Sequence, residues 1–261
     1  MFGPEELDRY ARQIVLPEVG AAGQERLRSA AVLVVGAGGI GGPAIRYLAG
    51  AGVGRLGVAD GDVVERSNLH RQTIYTTADV GEPKADRAAA FVADLNPTVA
   101  VETHDAVDAA TAEATVTEYD IVVDCTDRLR ARYLVNDACE LVGRPHVSGA
   151  VERFAGHMMT FVPDGPCYRC LFPDPPPADA VPDCAEVGVL GVVPGLVGTA
   201  VASETLGLLL DIDGSPAGTL RTLDARTLAT DAVAVERDPT CPACGEAAVE
   251  SIDGIDRDSD R

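Results

Sequence analysis

The sequence is poor in positive charge. Its 261 residues include 21 lysines and arginines against 41 aspartates and glutamates, which gives a net charge of −20 and a pI of about 4.4. A nucleic-acid-binding protein needs a basic surface to neutralise phosphates, so this composition argues against that class of partner. The acid excess is typical of halophilic proteins, although an acidic surface that serves solubility is an alternative explanation.

Segments typical of exported or membrane-spanning proteins are also missing. The first six residues have neither the basic region nor the apolar core of a signal peptide. The longest apolar run, residues 192–210, contains Pro194, Ser203 and Glu204, which predicts a buried helix rather than a membrane span. We therefore expect a cytoplasmic protein without a membrane partner. In such a protein, seven cysteines indicate metal binding or catalysis more than disulfides.

Lysine occurs once, at Lys84. It follows, in order, a glycine-rich turn at residues 36–41 (GAGGIG), Asp60, and the segment 67–72 (SNLHRQ). An ammonium and a guanidinium near a turn that cradles phosphates indicate a nucleoside triphosphate site. The alternative is that a genome rich in G and C uses arginine codons, and that Lys84 is an ordinary surface residue.

Apolar runs that alternate with helical segments predict an α/β fold. N-terminal helices are predicted first, beginning near Pro4. Strands are then predicted at 31–35, 55–59, 100–103 and 121–124, and helices at 43–51, 84–95, 109–118 and 130–141, the last ending at Gly143. This alternation is typical of a doubly wound, Rossmann-like, mostly parallel sheet, which we place in residues 30–150.

The pattern changes in residues 151–245. Strands are predicted near 156–162, 219–223 and 232–235, the helix covers 192–210, and the proline-rich residues 172–182 predict an extended, mobile loop. We expect residues 1–245 to form a single domain. The acidic residues 246–261 lack periodicity, which predicts a disordered tail.

The glycine turn predicts a nucleotide site. It follows a predicted buried strand and precedes a helix, where backbone N–H groups hold phosphates. Asp60 lies 24 residues after Gly36, at the end of the next strand, where an acid binds a ribose hydroxyl. These two features fit NAD as well as ATP, so they predict a nucleotide and not a reaction.

Four cysteines form two CxxC pairs: Cys167 and Cys170, Cys241 and Cys244. Two such pairs match a closed structural zinc site with four thiolates, which has no open position for catalysis. The alternative is two independent redox pairs. Cys125 and Cys139 fall in strand and helix patterns, and we expect them to be core residues.

Cys184 follows the proline-rich segment and suits a covalent acceptor. Its neighbours Asp183 and Glu186 would raise the pKa of the thiol, which argues against a strong thiolate. Asp124 and Asp127 end another predicted strand, where ligands bind in parallel sheets. Asp127 is a candidate for Mg²⁺, whereas helix capping is the simpler expectation for either aspartate.

Taken together, these motifs resemble the E1-like activating-enzyme family of the MoeB/ThiF type. The resemblance covers residues 9 to about 245 and is carried by residues 9–13 (RYARQ), 36–41 (GAGGIG), 67–72 (SNLHRQ), 81–84 (GEPK), 124–127 (DCTD), 147–150 (VSGA) and both CxxC pairs. Residues 182–191 are similar to archaeal enzymes that activate ubiquitin-like small modifier and sulfur-carrier proteins. The resemblance implies ATP-dependent adenylation of the C-terminal Gly-Gly carboxylate of such a protein.

The resemblance also implies residue roles. The nucleotide turn would be shaped by Gly36, Gly38, Gly39 and Gly41, and Asp60 would hold the ribose. The phosphates would be faced by Asn68, Arg71 and Lys84, and Asp127 would bind Mg²⁺. Relatives are homodimers in which the equivalent of Arg12 reaches the partner's ATP. Cys184 would accept the acyl group as a thioester, whereas MoeB-type relatives stop at the adenylate.

Two departures from the family pattern bear on these expectations. Arg128 stands where relatives usually have asparagine, which removes an amide but adds a potential phosphate ligand. The sequence ends soon after Cys244, so sulfur would come from a separate sulfurtransferase. Two competing functions are an NAD-dependent oxidoreductase, which leaves residues 67–72 and Lys84 unexplained, and a non-catalytic subunit that binds a ubiquitin-like partner.

Overall fold

One eight-stranded sheet organises the fold. The computed structural model describes residues 2–175, 187–212, 217–246, 248 and 251–252. The sheet has the order β3-β2-β1-β4-β5-β6-β7-β8. Its strands are β1 (Ala31–Val35), β2 (Arg55–Ala59), β3 (Ala100–His104), β4 (Ile121–Asp124), β5 (His146–Glu152), β6 (Ala155–Phe161), β7 (Thr219–Asp224) and β8 (Ala229–Ala234).

Helices connect and cover the strands. The described ones are α1 (Pro4–Ile14), α2 (Gly20–Ser29), α3 (Gly41–Ala51), α4 (Lys84–Leu95), α5 (Ala112–Thr117), α6 (Leu129–Val142), α7 (Tyr168–Leu171) and α8 (Val192–Leu210). Glycines with positive φ follow two of them: Gly52 (φ 84°) ends α3, and Gly143 (φ 64°) ends α6 as predicted.

Strands β1 to β5 are parallel and confirm the doubly wound prediction. β1 is the central strand of this half, with β2 on one side and β4 on the other. The chain runs outward from β1 to β3 and then returns to β4, so the strand order changes direction between β1 and β4. Ligands of open α/β sheets bind at such a switch point, at the carboxyl ends of the strands.

Both faces of the parallel half are buried, as the apolar run in β1 predicts. Val32 and Val34 point into one cluster, which includes Ile45 and Leu48 of α3. The intervening residues of β1 point into a second cluster on the opposite face, together with residues of α5 and α6. Alternate residues of a strand face opposite sides, so a strand covered by helices on both sides must be apolar throughout.

The last three strands extend the sheet in antiparallel fashion. β5 and β6 form a hairpin, and β7 pairs with both β6 and β8. The predicted strand at 219–223 is confirmed, whereas the strand predicted at 232–235 lies three residues earlier at its start. Every residue of β8 is exposed, so no apolar run marked its beginning.

Helix α8 is a core helix along one face. It is the one helix in the described part of the chain that is long and apolar enough to cross a membrane, with a mean hydropathy of 1.5. Val193 is buried, and Val197 and Val201 are buried in the first cluster, where the helix packs against α3 and the sheet. Pro194 is tolerated because it lies in the first turn, where no intrahelical bond needs its missing N–H.

Three features differ from the predictions or add to them. The bounds of α2, the second N-terminal helix, were not predicted, because two of its first four residues are glycines. Strand β5 was not predicted, because it contains polar and glycine residues. Cys125 and Cys139 are buried core residues, as expected. Most of residues 246–261 lies outside the described residues, but Ile252 is only 4% exposed and packs in the second cluster.

Candidate nucleotide site and cysteine cluster

The glycine turn lies at the switch point, directly after β1. Gly36 has φ 92°, and a Cβ atom there would lie 2.8 Å from the carbonyl oxygen of Cys125, which follows β4. A Cβ at Gly41 would collide with the carbonyl group of Gly36. These positions exclude side chains, so the backbone between them can approach a ligand closely. α3 begins at Gly41 and directs its N-terminus at this turn.

Asp60 fixes the turn from the neighbouring strand. Its Oδ2 accepts a hydrogen bond of 2.7 Å from the N–H of Ala37, and its Oδ1 accepts one of 2.9 Å from the N–H of Asp62. Burial raises the pKa of Asp60 above its ordinary value, and the Lys84 ammonium acts in the opposite direction. An ionised carboxylate has about four acceptor positions, so two remain for a ligand.

Lys84 is buried beside the carboxylate of Asp62 and does not lie on the surface. Its side chain is 8% exposed, and Nζ is 3.0 Å from Asp62 Oδ2. Tyr75 joins the same region, since its hydroxyl donates to the carbonyl oxygen of Ala37 at 2.8 Å. The interpretation of Lys84 as an ordinary surface residue is therefore wrong.

The 67–72 segment contributes the other predicted phosphate ligands. Arg71 is half-buried beside the turn, since its Cγ would lie 3.4 Å from a Cβ at Gly39, and its Nη1 donates to the carbonyl oxygen of Ser67 at 3.3 Å. Asn68 is buried, and its Oδ1 accepts a 3.2 Å hydrogen bond from the N–H of Glu65. Gly38 faces this segment from the turn, next to Gln72.

The loop after β4 completes this edge of the sheet. Asp127 is exposed there, and the N-cap of α6 is Arg128, so the expectation that Asp124 or Asp127 caps this helix is wrong. Asp124 is buried, with Oδ1 accepting from the N–H of Thr126 at 3.0 Å and Oδ2 from the hydroxyl of Ser148 at 2.8 Å. Asp124 therefore has a structural role in holding the loop.

The four cysteines of the CxxC pairs come together in one cluster. Their sulfur atoms all lie within 4.8 Å of one another, with Cys167 Sγ 3.5 Å from Cys241 Sγ and Cys170 Sγ 3.4 Å from Cys244 Sγ. These distances are too long for disulfides and suit four sulfurs around one ion. The residues fit a closed tetrahedral zinc site, because four thiolates leave no coordination position open.

Contacts with α6 hold the first cysteine pair in place. Arg169 lies between Cys167 and Cys170, and its Nε and Nη2 donate to the two carboxylate oxygens of Asp137 at 2.7 and 2.6 Å. The Arg169 side chain is 8% exposed and the Asp137 side chain 4%. Neighbouring Asn136 accepts a 2.7 Å hydrogen bond from the N–H of Tyr168.

Comparison with known proteins decides the family. The model of the ThiF family matches residues 10–243, nearly the whole chain. The chain belongs to the ThiF family. It is 53% identical to the SAMP-activating enzyme E1 of Haloferax volcanii over 96% of this chain and 93% of that protein. It is 51% identical to the sulfur carrier protein adenylyltransferase of Thermus thermophilus over 93% of this chain and 92% of that protein.

A solved structure has the same ThiF-type fold. The structure of E. coli MccB with ATP matches with a TM-score of 0.75 and 21% identity, covering 91% of this chain and 74% of that chain. At this identity the likeness concerns the fold alone. It confirms the predicted architecture independently of the sequence motifs.

The structure of this ThiF-family chain brings together most of the predicted nucleotide ligands, but not all predicted residues. Arg12 is exposed on α1, which precedes α2 and β1 in the chain, whereas the glycine turn follows β1. Cys184 lies outside the described residues. Sequence analysis missed Asp62, which contacts Lys84; its position two residues after Asp60 was the available signal.

Proposed function

We propose that the protein adenylates the C-terminal carboxylate of a ubiquitin-like small modifier or sulfur-carrier protein. The carboxylate attacks the α-phosphate of ATP, a new P–O bond forms, and pyrophosphate leaves with the electrons of the broken bond. The observation that carries this proposal is the convergence of Asp60, Lys84 and Arg71 at a glycine turn at the switch point, with Asp127 in the loop after the adjacent strand β4. The two relatives, a SAMP-activating enzyme E1 and a sulfur carrier protein adenylyltransferase, supply the substrate class.

The residues act by positioning and by neutralising charge. The N–H groups of the turn and the N-terminus of α3 hold phosphates, and Asp60 receives the ribose. Arg71 and Lys84 place positive charge where pyrophosphate develops negative charge, so they stabilise the transition state more than the bound substrate. Asn68 adds a polar contact beside them. Arg12 is assigned to the ATP of a partner subunit.

Two metal ions have separate roles in this proposal. Asp127 is exposed and carboxylate oxygen suits Mg²⁺, which when bound would offset the triphosphate charge. Zinc held by the four cysteines would be structural, joining two parts of the chain that lie about seventy residues apart in sequence.

We further propose that Cys184 takes the acyl group from the adenylate. The thiolate attacks the acyl carbonyl carbon, a C–S bond forms, and AMP leaves as the C–O bond to phosphate breaks. The alternative is that the reaction stops at the adenylate, as in MoeB-type enzymes. Cys184→Ser separates the two, because it should retain adenylation and lose only a thioester that thiols can cleave.

The quaternary and cellular context belongs to the same proposal. Leu7, Val15 and Leu16 are exposed at 47%, 75% and 50% on and after α1, near Arg12 in sequence. Burial of this apolar surface against a second copy would form a homodimer and place Arg12 at a shared site. A separate sulfurtransferase would supply sulfur, and the cytoplasm is the expected compartment.

The test is ATP–pyrophosphate exchange in high salt with Mg²⁺, with and without a small ubiquitin-fold protein that ends in Gly-Gly. We expect exchange that depends on the carrier and vanishes in Asp127→Ala. The matched control is Asp94→Ala, which removes an exposed aspartate of α4 and should retain exchange. Absence of exchange with every Gly-Gly carrier would contradict the proposal and favour the non-catalytic subunit.

A further inference from the structure

Arg128 connects two loops across the glycine turn. β1 lies between β2 and β4 in the sheet, and the glycine turn follows β1. Arg128 belongs to the loop after β4, and Asp62 belongs to the loop after β2. Their side chains meet, with Arg128 Nη2 3.5 Å from Asp62 Oδ1. The ion pair therefore spans the end of β1, beside the turn that is built for phosphates.

Asp62 has two cationic partners of different character. Its Oδ2 contacts the Lys84 ammonium, which is 8% exposed, whereas the Arg128 side chain is 74% exposed. A buried charge depends strongly on its partner, but an exposed ion pair contributes little and is exchanged at low cost. Arg128 is therefore the cation that can leave Asp62 for a ligand.

We propose that Arg128 binds the polyphosphate of ATP and that Asp62 holds its guanidinium beside the turn until ATP arrives. This inference rests on the proposed function, since it adds a residue to the same nucleotide site. On binding, Arg128 moves from Asp62 Oδ1 to oxygens of the β- or γ-phosphate, while Lys84 keeps its contact with Asp62. The planar guanidinium fork matches a pair of phosphate oxygens.

The position of Arg128 makes the contact selective for long phosphate chains. Asp60, which holds the turn from the β2 side, is assigned to the ribose, so the adenosine part lies away from the loop after β4. Arg128 lies on the opposite side of β1, next to Asp127 and its proposed Mg²⁺. AMP has no β- or γ-phosphate and would not reach the guanidinium.

Isothermal titration calorimetry with Mg-ATP, Mg-ADP and AMP tests this, using the full chain without carrier. Arg128→Asn should weaken ATP binding about five- to tenfold, or about 1.0–1.4 kcal/mol, because one charge-assisted contact is lost. The loss for ADP should be smaller, and AMP binding should change less than about twofold. Arg128→Lys keeps the charge without the fork and should recover part of the loss.

Arg226→Asn is the matched control. Arg226 is 68% exposed and pairs with Asp224 at 3.2 Å, at the end of β7, four strands from β1. This variant changes the net charge by the same amount as Arg128→Asn, but away from the glycine turn. It should bind ATP like the parent chain, and far-ultraviolet circular dichroism should show both variants folded. Equal losses for ATP and AMP, or unchanged ATP binding in Arg128→Asn, would overturn the proposal. Tighter ATP binding would also overturn it, because the ion pair would then obstruct the site.

This experiment separates the inference from the proposed function. A chain that binds ATP, shows the phosphate-dependent loss in Arg128→Asn, and gives no carrier-dependent exchange would retain the Arg128 site and refute adenylation. A chain with exchange but without the loss would retain adenylation and refute the role of Arg128.

Discussion

Replacement of Asp137 by asparagine tests how the first cysteine pair is held against the parallel half of the sheet. The change preserves the shape of the side chain but leaves the Arg169 guanidinium without a counter-charge. Both side chains are almost fully buried, at 4% and 8% exposure, and the two hydrogen bonds are 2.6 and 2.7 Å long. The pair should therefore behave as a desolvated one.

Breaking such a pair by removing one partner costs about 3–5 kcal/mol. Asparagine retains one acceptor oxygen, so for Asp137→Asn we expect a loss of about 3 kcal/mol in the free energy of unfolding, at the lower end of that range. For a chain of this size, that loss lowers the melting temperature by roughly 6–12 °C. Urea titration followed by circular dichroism measures the free energy directly.

Two further variants serve as comparisons for Asp137→Asn. Asp224→Asn removes the counter-charge of the exposed Arg226 pair and should leave stability unchanged. The double variant Asp137→Leu with Arg169→Met replaces both buried charges by apolar side chains and should be more stable than Asp137→Asn. A loss in Asp137→Asn no larger than that of Asp224→Asn would refute the reasoning.

Other expectations follow from the same contacts. Gly36→Ala should abolish ATP binding in calorimetry, because the added Cβ would meet the carbonyl of Cys125 at 2.8 Å and the residue has φ 92°. Lys84→Ala should abolish pyrophosphate exchange, whereas Asp94→Ala should not. Metal analysis should find about one zinc per chain, lost together with thermal stability in Cys244→Ser. Burial lowers the pKa of His146 from its ordinary value of 6.5 to about 4. Between these two pH values, the imidazole is neutral in the folded protein but protonated in the unfolded chain. Stability from this group is present above the ordinary value of 6.5 and is lost as pH falls toward 4, and the pH dependence of urea unfolding should flatten over this window in His146→Leu.

The sequence predicts most of the parallel half because its signals are local. β1 is apolar along its whole length. Gly143 marks the end of α6, because glycine readily adopts the left-handed conformation in which this helix ends. β5 escapes prediction because it begins at His146 and contains Ser148, and these polar residues are buried through contacts with distant strands. Local pattern carries no information about such tertiary burial.

The same distinction applies to the nucleotide site. The glycine turn and Asp60 are recognisable because their spacing follows from one strand-turn-helix unit. The contact of Asp62 with Lys84 and Arg128 depends on the packing of loops after two different strands, which sequence spacing does not specify. Asp124 was misjudged for a similar reason, since its partner Ser148 belongs to β5.

The burial of Lys84 has a chemical consequence for the proposed adenylation, whose product is an activated acyl group. An acyl-adenylate is an electrophile, and an uncharged lysine amine is a nucleophile that it would acylate. The side-chain amine of Lys84 is the one lysine amine of the sequence. Its side chain is 8% exposed, and its Nζ lies 3.0 Å from Asp62 Oδ2. An acyl-adenylate formed at the proposed site would therefore meet no exposed lysine side chain of this chain.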